Sequence, residues 1–202
     1  HYTHIPDKDG TPIAETLEAL DAMVSAGKIR YIGVSNETPW GLLEYLRVAE
    51  RNTLARIVSV QNPYNLLNRL FEIGMSEIAL RENVGLLAYS PLAFGVLTGK
   101  YINNQRPENA RLSLYDTYKR YLNSNGIKMT EKYVGLAREH GLDPAQMALA
   151  FILSRPFLTS AIIGATSLAQ LRSNIASIDV QLPDEILKKI DSLNFEQPSP
   201  CP

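Results

Sequence analysis

The sequence predicts an α/β fold of parallel strands joined by helices, of the (β/α)8 TIM-barrel type, in a single domain over residues 1–202. Helical and strand patterns alternate and nothing reads as a hairpin, which leaves a doubly wound sheet or a barrel. A doubly wound dinucleotide-binding sheet carries G-x-G-x-x-G at its first strand–helix turn, and the chain has no such motif. Instead, four strands end in small polar or aromatic tips: Ser35-Asn36, Gln61-Asn62, Tyr89-Ser90-Pro91 and Gly164-Ala165-Thr166. A barrel gathers its ligand contacts from the ends of many strands.

Thr11-Pro12 reads as the N-cap and first residue of a helix with Ile13, Leu17, Leu20 and Val24 on one stripe. Gly27 stops it, and Ile29–Val34 reads as a short buried strand. Thr38-Pro39 opens a second helix with apolar Leu42, Leu43, Leu46 and Val48; a strand over Ile57–Val60 follows, ending at Gln61-Asn62-Pro63-Tyr64-Asn65. A helix over about Phe71–Glu82 leads to a third strand, Val84–Tyr89. Residues 92–125 form a long irregular segment with one short helical pattern near Leu112–Tyr121, and loops of that length are usually functional or disordered. Beyond it, Met129–His140 is helical and stops at Gly141, where His140 suits the negative end of the helix dipole. Asp143-Pro144-Ala145-Gln146 reads as a capping box for a helix to about Ser154. Thr159–Ile163 is the fourth strand, Ser167–Ile175 a helix, and Pro183-Asp184-Glu185 opens a last amphipathic helix covering the base or side of the domain. Four strands do not close a barrel, which takes about 250 residues. The chain is short by roughly four βα units and opens without methionine at His1-Tyr2-Thr3-His4, so further strands are expected upstream.

Composition narrows the partners. The 202 residues are 45% hydrophobic with a formal net charge of -1, which suits a soluble domain with a sizeable core and offers no electrostatic reason for nucleic acid or an anionic membrane as partner. No apolar run approaches the roughly 18 residues of a membrane span, and no stretch reads as a signal peptide. The lone Cys201 lies in the Pro-rich tail, residues 195–202, and is expected to be an exposed thiol. A reducing, cytoplasmic compartment follows by default. Three histidines and one cysteine lack metal-ligand spacing, so no metal is expected.

Several segments carry a resemblance: Gly27-Lys28-Ile29-Arg30-Tyr31-Ile32-Gly33-Val34-Ser35-Asn36; Gln61-Asn62-Pro63-Tyr64; Tyr89 through Tyr101; and Ile163-Gly164-Ala165-Thr166 with Gln170-Leu171-Arg172-Ser173-Asn174. In that order, and over essentially the whole chain, the sequence resembles the C-terminal part of an aldo-keto reductase. It is especially similar to the Tas-like bacterial branch related to the potassium-channel β-subunits. The resemblance implies that the chain supplies about strands 5–8, their helices and a C-terminal helix of a barrel that reduces aldehydes or ketones with NADP(H), NAD being the less favoured cofactor. It implies that Ser35, Asn36 and Gln61 hold the nicotinamide carboxamide, whose donor and acceptor match a hydroxyl and amides. Tyr89 would stack on the nicotinamide ring; from position alone it is equally a strand-end core aromatic. Ser90, Pro91, Leu92, Ala93, Phe94 and Gly95, with Leu97 and Gly99, match the loop that wraps the pyrophosphate, where small residues let backbone N–H groups approach oxygen. Lys100 and Arg111 match cations that neutralise phosphate, against the reading of ordinary solvated side chains. Gly164, Thr166, Gln170, Ser173 and Asn174 match the last cofactor patch; Gln170 and Asn174 share a helix face, and the helix start near Ser167 favours phosphate.

The sequence departs from many family members, which place a Lys and an Arg where Gly164 and Gln170 stand, so the preference for NADP rests on Lys100 and Arg111. The family's Asp, Tyr and Lys, which tune and deliver the proton, belong to strands preceding His1. His4, in His4-Ile5-Pro6-Asp7, is the candidate for the histidine that orients the carbonyl; the competing readings are an exposed loop histidine and the end of an insertion, with His1 a weaker candidate. Tyr115, Tyr118 and Tyr121 either line a substrate mouth or pack the long loop. Beside a reductase acting on small carbonyl substrates stand two alternatives: an NADP-binding regulatory or interaction protein with weak or no turnover, and a fragment that binds nothing well.

Overall fold

The computed structural model describes residues 10–115 and 119–202. Four parallel strands, β1 (Ile32–Ser35), β2 (Ile57–Pro63), β3 (Gly85–Tyr89) and β4 (Leu158–Ala161), form one sheet in the order β1-β2-β3-β4. Sequential order with no reversal is what a barrel wall requires; a doubly wound sheet switches direction part-way across. Register sorts the side chains onto two faces. Val60, Leu86 and Ala88 are fully buried on the side packed by α2 (Pro39–Asn52), α3 (Met75–Arg81) and α6 (Pro144–Leu153), with α1 (Ile13–Ser25) laid against α2. Ser35, Ser59, Gln61, Leu87 and Tyr89 take the other face, where they are half-buried or exposed.

Local chemistry moves several element boundaries from where pattern places them. Helix α1 starts one residue later than expected: Pro12 is the N-cap, and the Thr11 side chain does not cap. Its end explains the shortened first strand. Gly27 sits at φ +69, and the Lys28 and Ile29 N–H groups both donate to the Met23 carbonyl, a Schellman-type ending that takes the Ile29 donor away from the expected strand start. The expected helix over Phe71–Glu82 is broken by Gly74 at φ +82 into a 3-10 turn, Leu70–Glu72, and α3. By contrast α5 (Ser124–Glu139) begins five residues before the expected Met129, because the Asn123 side chain accepts from Gly126 N (2.8 Å) and caps it. Thr38 caps α2 as expected, accepting from Gly41 N. Asp143 caps α6, but Gln146 does not complete the box; its Nε2 donates to the Ser173 carbonyl at 3.1 Å and ties α6 to α7 (Leu168–Ala176).

The described residues of the 92–125 segment are packed onto the core. The segment holds 3-10 turns at Ala93–Thr98, Ile102–Asn104 and Arg120–Leu122 and a short helix, α4 (Arg111–Leu114). Ala93, Val96, Leu97, Tyr101, Leu112 and Tyr121 enter the core.

The tail overturns the expectation of an exposed thiol. Cys201 is fully buried, and its N–H donates to the Leu67 carbonyl at 3.0 Å. Asn123 Nδ2 donates to the Pro200 carbonyl (3.0 Å) and lies 3.3 Å from Cys201 Sγ, while Ser199 Oγ accepts from Arg69 N at 3.1 Å. Burial pushes the Cys201 thiol up to about 11. The last helix, α8 (Asp184–Glu196), covers the side of the domain against α5. It also reaches the 70s turn through Asp191, which accepts from the buried Arg69 guanidinium (2.8 Å); Glu72 grips the same guanidinium with both carboxylate oxygens and accepts from Tyr64 Oη. His140 ends α5 as expected, but Lys189 Nζ lies 3.1 Å from its Nε2.

Candidate functional site

Three of the four polar strand ends are joined by hydrogen bonds at the carboxyl end of the sheet. Asn36 follows β1 at φ +54, a left-handed conformation that asparagine tolerates better than most residues. The Gln61 carbonyl accepts from both Asn36 N and Ser35 Oγ, each at 3.0 Å, which pins the β1 tip to β2. Asn36 Nδ2 donates to Ser35 Oγ (3.2 Å), and Tyr89 Oη, from the end of β3, donates to Asn36 Oδ1 at 2.6 Å. Ser35, Asn36, Gln61 and Tyr89 thus form one cluster. It retains the second Asn36 N–H and the whole Gln61 amide, for which no partner is present among the described residues. Gly33 faces Ser59 and Gly85 faces Thr159 so closely that a Cβ at either glycine collides with the neighbour's hydroxyl, which keeps the open face below the cluster low.

Asn62, part of the second polar tip, and Asn65, to neither of which the resemblance gives a cofactor contact, hold the chain around the cluster and the bend. Asn62 Oδ1 accepts from Glu37 N (3.1 Å) and its Nδ2 donates to the Glu37 carbonyl (3.0 Å), a two-way clamp on the chain leaving Asn36. Asn65, fully buried, donates to the Ser90 carbonyl (3.0 Å) and to Tyr121 Oη (3.1 Å). The only sequence signal for either was its place in the polar run that follows β2.

The segment after β3 bends through consecutive left-handed residues. Ser90, Ala93, Phe94 and Gly95 have φ of +53, +50, +58 and +89, and Gly99 has +83. Within the bend Ala93 N donates to the Ser90 carbonyl (2.8 Å), and Gly95 N (2.8 Å) and Leu97 N (3.3 Å) donate to the Leu92 carbonyl, which holds its shape. Pro91, Ala93 and Leu97 are buried, so they shape this backbone and present no side chain outward, while Leu92 is half-buried against the core. Lys100 folds back over the bend: a Cβ at Gly95 would lie 2.9 Å from Lys100 Cε and 3.0 Å from Nζ. Burial lowers the Lys100 ammonium below the usual lysine range, and among the described residues no carboxylate pairs with it. Arg111, from α4, stacks its guanidinium 4.8 Å from the Phe94 ring centre, and Tyr121 meets the same ring edge-on at 5.1 Å.

The last patch follows β4 at the same end of the sheet, since Ile162 N donates to the Ala88 carbonyl and carries the chain past β3. Gly164, Thr166 and Gln170 are exposed; Gln170 Oε1 accepts from Thr166 N (3.0 Å) and Oγ1 (3.1 Å), closing the loop at the start of α7. Ser173 is half-buried and Asn174 buried, so the two lie deeper than the rest of this patch. Tyr121 is fully buried and packs the long loop, whereas Tyr115 is exposed. His4, His1 and Tyr118 lie outside the described residues. Among the described residues no cluster of His, Cys, Asp and Glu is arranged to hold a metal, and no helix is long and apolar enough to cross a membrane.

Parallel strands with a polar cluster and a left-handed bend gathered at their carboxyl ends define an α/β protein whose strand tips bring polar groups together at one end of the sheet. A profile of the Aldo/keto reductase family matches residues 1–194, and the chain belongs to that family. It is 48% identical over 197 residues to "Protein tas" of Escherichia coli K12, covering 96% of this chain and 57% of that protein. An "Aldo-keto reductase" of Babesia bovis is 36% identical over 202 residues (96% and 71%), and a "Probable voltage-gated potassium channel subunit beta" of Oryza sativa subsp. japonica is 33% identical over 204 residues (98% and 62%). The chain therefore spans little more than half the length of Protein tas.

Proposed function

We propose that this chain forms the cofactor half of an NADP-dependent reductase of aldehydes or ketones, on one side of a (β/α)8 barrel. The hydrogen-bonded cluster of Ser35, Asn36, Gln61 and Tyr89 carries the reading. A carboxamide needs one acceptor and one donor, and the spare Asn36 N–H and the Gln61 amide supply both. The Tyr89 hydroxyl is fixed by Asn36, so the ring holds one orientation and fixes which face of a flat nicotinamide is presented. The bend at Ser90–Gly95, with Gly99, suits the pyrophosphate, and Lys100 and Arg111 supply cations for phosphate on that side. Gly164, Thr166, Gln170, Ser173 and Asn174 extend the patch toward the adenosine end. NADPH supplies the hydride; a tyrosine donates the proton, and since unperturbed tyrosine titrates near ~10 it needs a neighbouring cation. That tyrosine, with its Asp and Lys, belongs to strands upstream of this chain, and His4 is the candidate for orienting the carbonyl.

The test uses the intact native protein. NADPH titration followed by fluorescence should give saturable binding that Asn36→Ala weakens by about tenfold, the loss of two hydrogen bonds at a polar cluster. NADPH oxidation with a panel of aldehydes and ketones should show turnover. Absence of NADPH binding overturns the reading. Binding without reduction of any carbonyl supports instead a cofactor-binding regulatory protein, the reading favoured by the 33% identity to the rice channel subunit.

A further inference from the structure

We propose that Asn65 and Tyr121 are positioning residues for the Ser90–Gly95 bend, and that the C-terminal tail holds them in place. The inference rests on the cofactor reading of that bend. Asn65 is fully buried and has its amide engaged on both sides: Oδ1 accepts from Leu67 N (2.9 Å), and Nδ2 donates to the Ser90 carbonyl and to Tyr121 Oη. Its backbone is equally fixed, exchanging two 3.0 Å hydrogen bonds with Asn68. Ser90 holds φ +53, which costs a non-glycine residue free energy unless its surroundings enforce it. The enforcement is visible at its carbonyl, which accepts from Asn65 and from Ala93 N (2.8 Å) together. Tyr121 supports the other end of the bend, with its ring edge against Phe94 and its hydroxyl on Asn65.

These two residues come from segments far apart in sequence, and the tail is bonded to both segments. Ser199 and Cys201 bind the turn that carries Asn65, through Arg69 N and the Leu67 carbonyl. Pro200 and Cys201 bind Asn123, two residues beyond Tyr121, and Asn123 also donates to the Arg120 carbonyl at 3.0 Å. The tail closes a bracket between the two segments, and Asn65 and Tyr121 are the points where the bracket meets the bend.

The experiment compares two ligands on the intact protein: NADPH, and adenosine 2′-monophosphate, which lacks both 5′ phosphates and the nicotinamide. Asn65→Leu removes the donors at similar volume and should raise the NADPH Kd about tenfold, while binding of the monophosphate stays at the wild-type level. Tyr121→Phe keeps the ring against Phe94 and removes only the hydroxyl, so a smaller loss of about threefold in NADPH alone is expected. Truncation after Gln197 should show the same ligand-selective loss. Equal loss of both ligands would mean a general structural role and overturn the proposal, as would unchanged NADPH binding in Asn65→Leu and Tyr121→Phe. If the wild-type protein binds no NADPH, the cofactor reading fails before the positioning role is tested.

Discussion

Lys100 is half-buried over a bend whose backbone is left-handed, and its environment lowers the ammonium below the usual lysine range by desolvation. A cation kept partly from water attracts a phosphate more strongly than a solvated one, but it also loses its proton sooner as pH rises. The sign follows: NADPH affinity is fully present while Lys100 is protonated and falls as pH rises through its lowered pKa, before ordinary lysines titrate. Kd measured across pH 7–10.5 should therefore rise earlier for the wild type than for Lys100→Arg, and Lys100→Met should be weaker at neutral pH with a flatter profile. Identical profiles for all three would remove Lys100 from the phosphate site. Residues such as Lys100, Ser35, Asn36 and Tyr89 are legible in the sequence because strand ends and short-range motifs mark them. Asn65 and Cys201 are not, because what defines each is a partner 56 or 78 residues away. Composition alone places a cysteine between two prolines in solvent; the hydrogen bonds from Asn123 place it in the core.

Helix α5 shows how an element is set by what meets its first turn. Pattern recognises its apolar stripe from Met129 onward, with Tyr133, Leu136 and Ala137 buried. It does not recognise Ser124-Asn125-Gly126 as helical, since such residues ordinarily mark loops. Gly126 is required there by close approach: a Cβ would lie 2.6 Å from Cys201 Sγ and 2.8 Å from the Tyr121 carbonyl oxygen. Gly126→Ala should therefore destabilise the protein by about 2 kcal/mol through overpacking, despite alanine's better helix propensity. The double variant with Cys201→Ala should recover only part of this, because the backbone carbonyl stays where it is; the two changes are then non-additive in urea unfolding. A stabilised Gly126→Ala would show that the tail yields freely. The same logic accounts for the strand that begins late: the donors of Lys28 and Ile29 go to Met23, a choice that hydrophobic runs do not reveal.

The sheet ends in two edges. Among the described residues β1 and β4 each pair on one side only, and unpaired backbone at a sheet edge recruits further strands. Apolar side chains crowd near both: Tyr31 at the β1 edge is 76% exposed, and beyond β4 Ile162, Leu168, Leu171, Ile175 and Ile178 are all exposed. One sheet face, carrying Ser35, Gln61 and Tyr89, has no helix layer among the described residues, whereas the opposite face is a continuous core. A wall with one dry face, one open face and two sticky edges suits half of a closed barrel, in which the open face becomes the lumen and the edges meet partner strands. Expressed by itself, the 202-residue chain should bind a hydrophobic dye such as ANS and elute in gel filtration well above a 22.5 kDa monomer. Charging the β4 side with Ile175→Lys and Ile178→Lys should reduce the dye signal and the apparent size, while the β1 edge keeps some association. A monomeric, dye-silent chain at micromolar concentration would mean that the edges and the apolar rim are stable in water uncovered, and the half-barrel reading would fall with it.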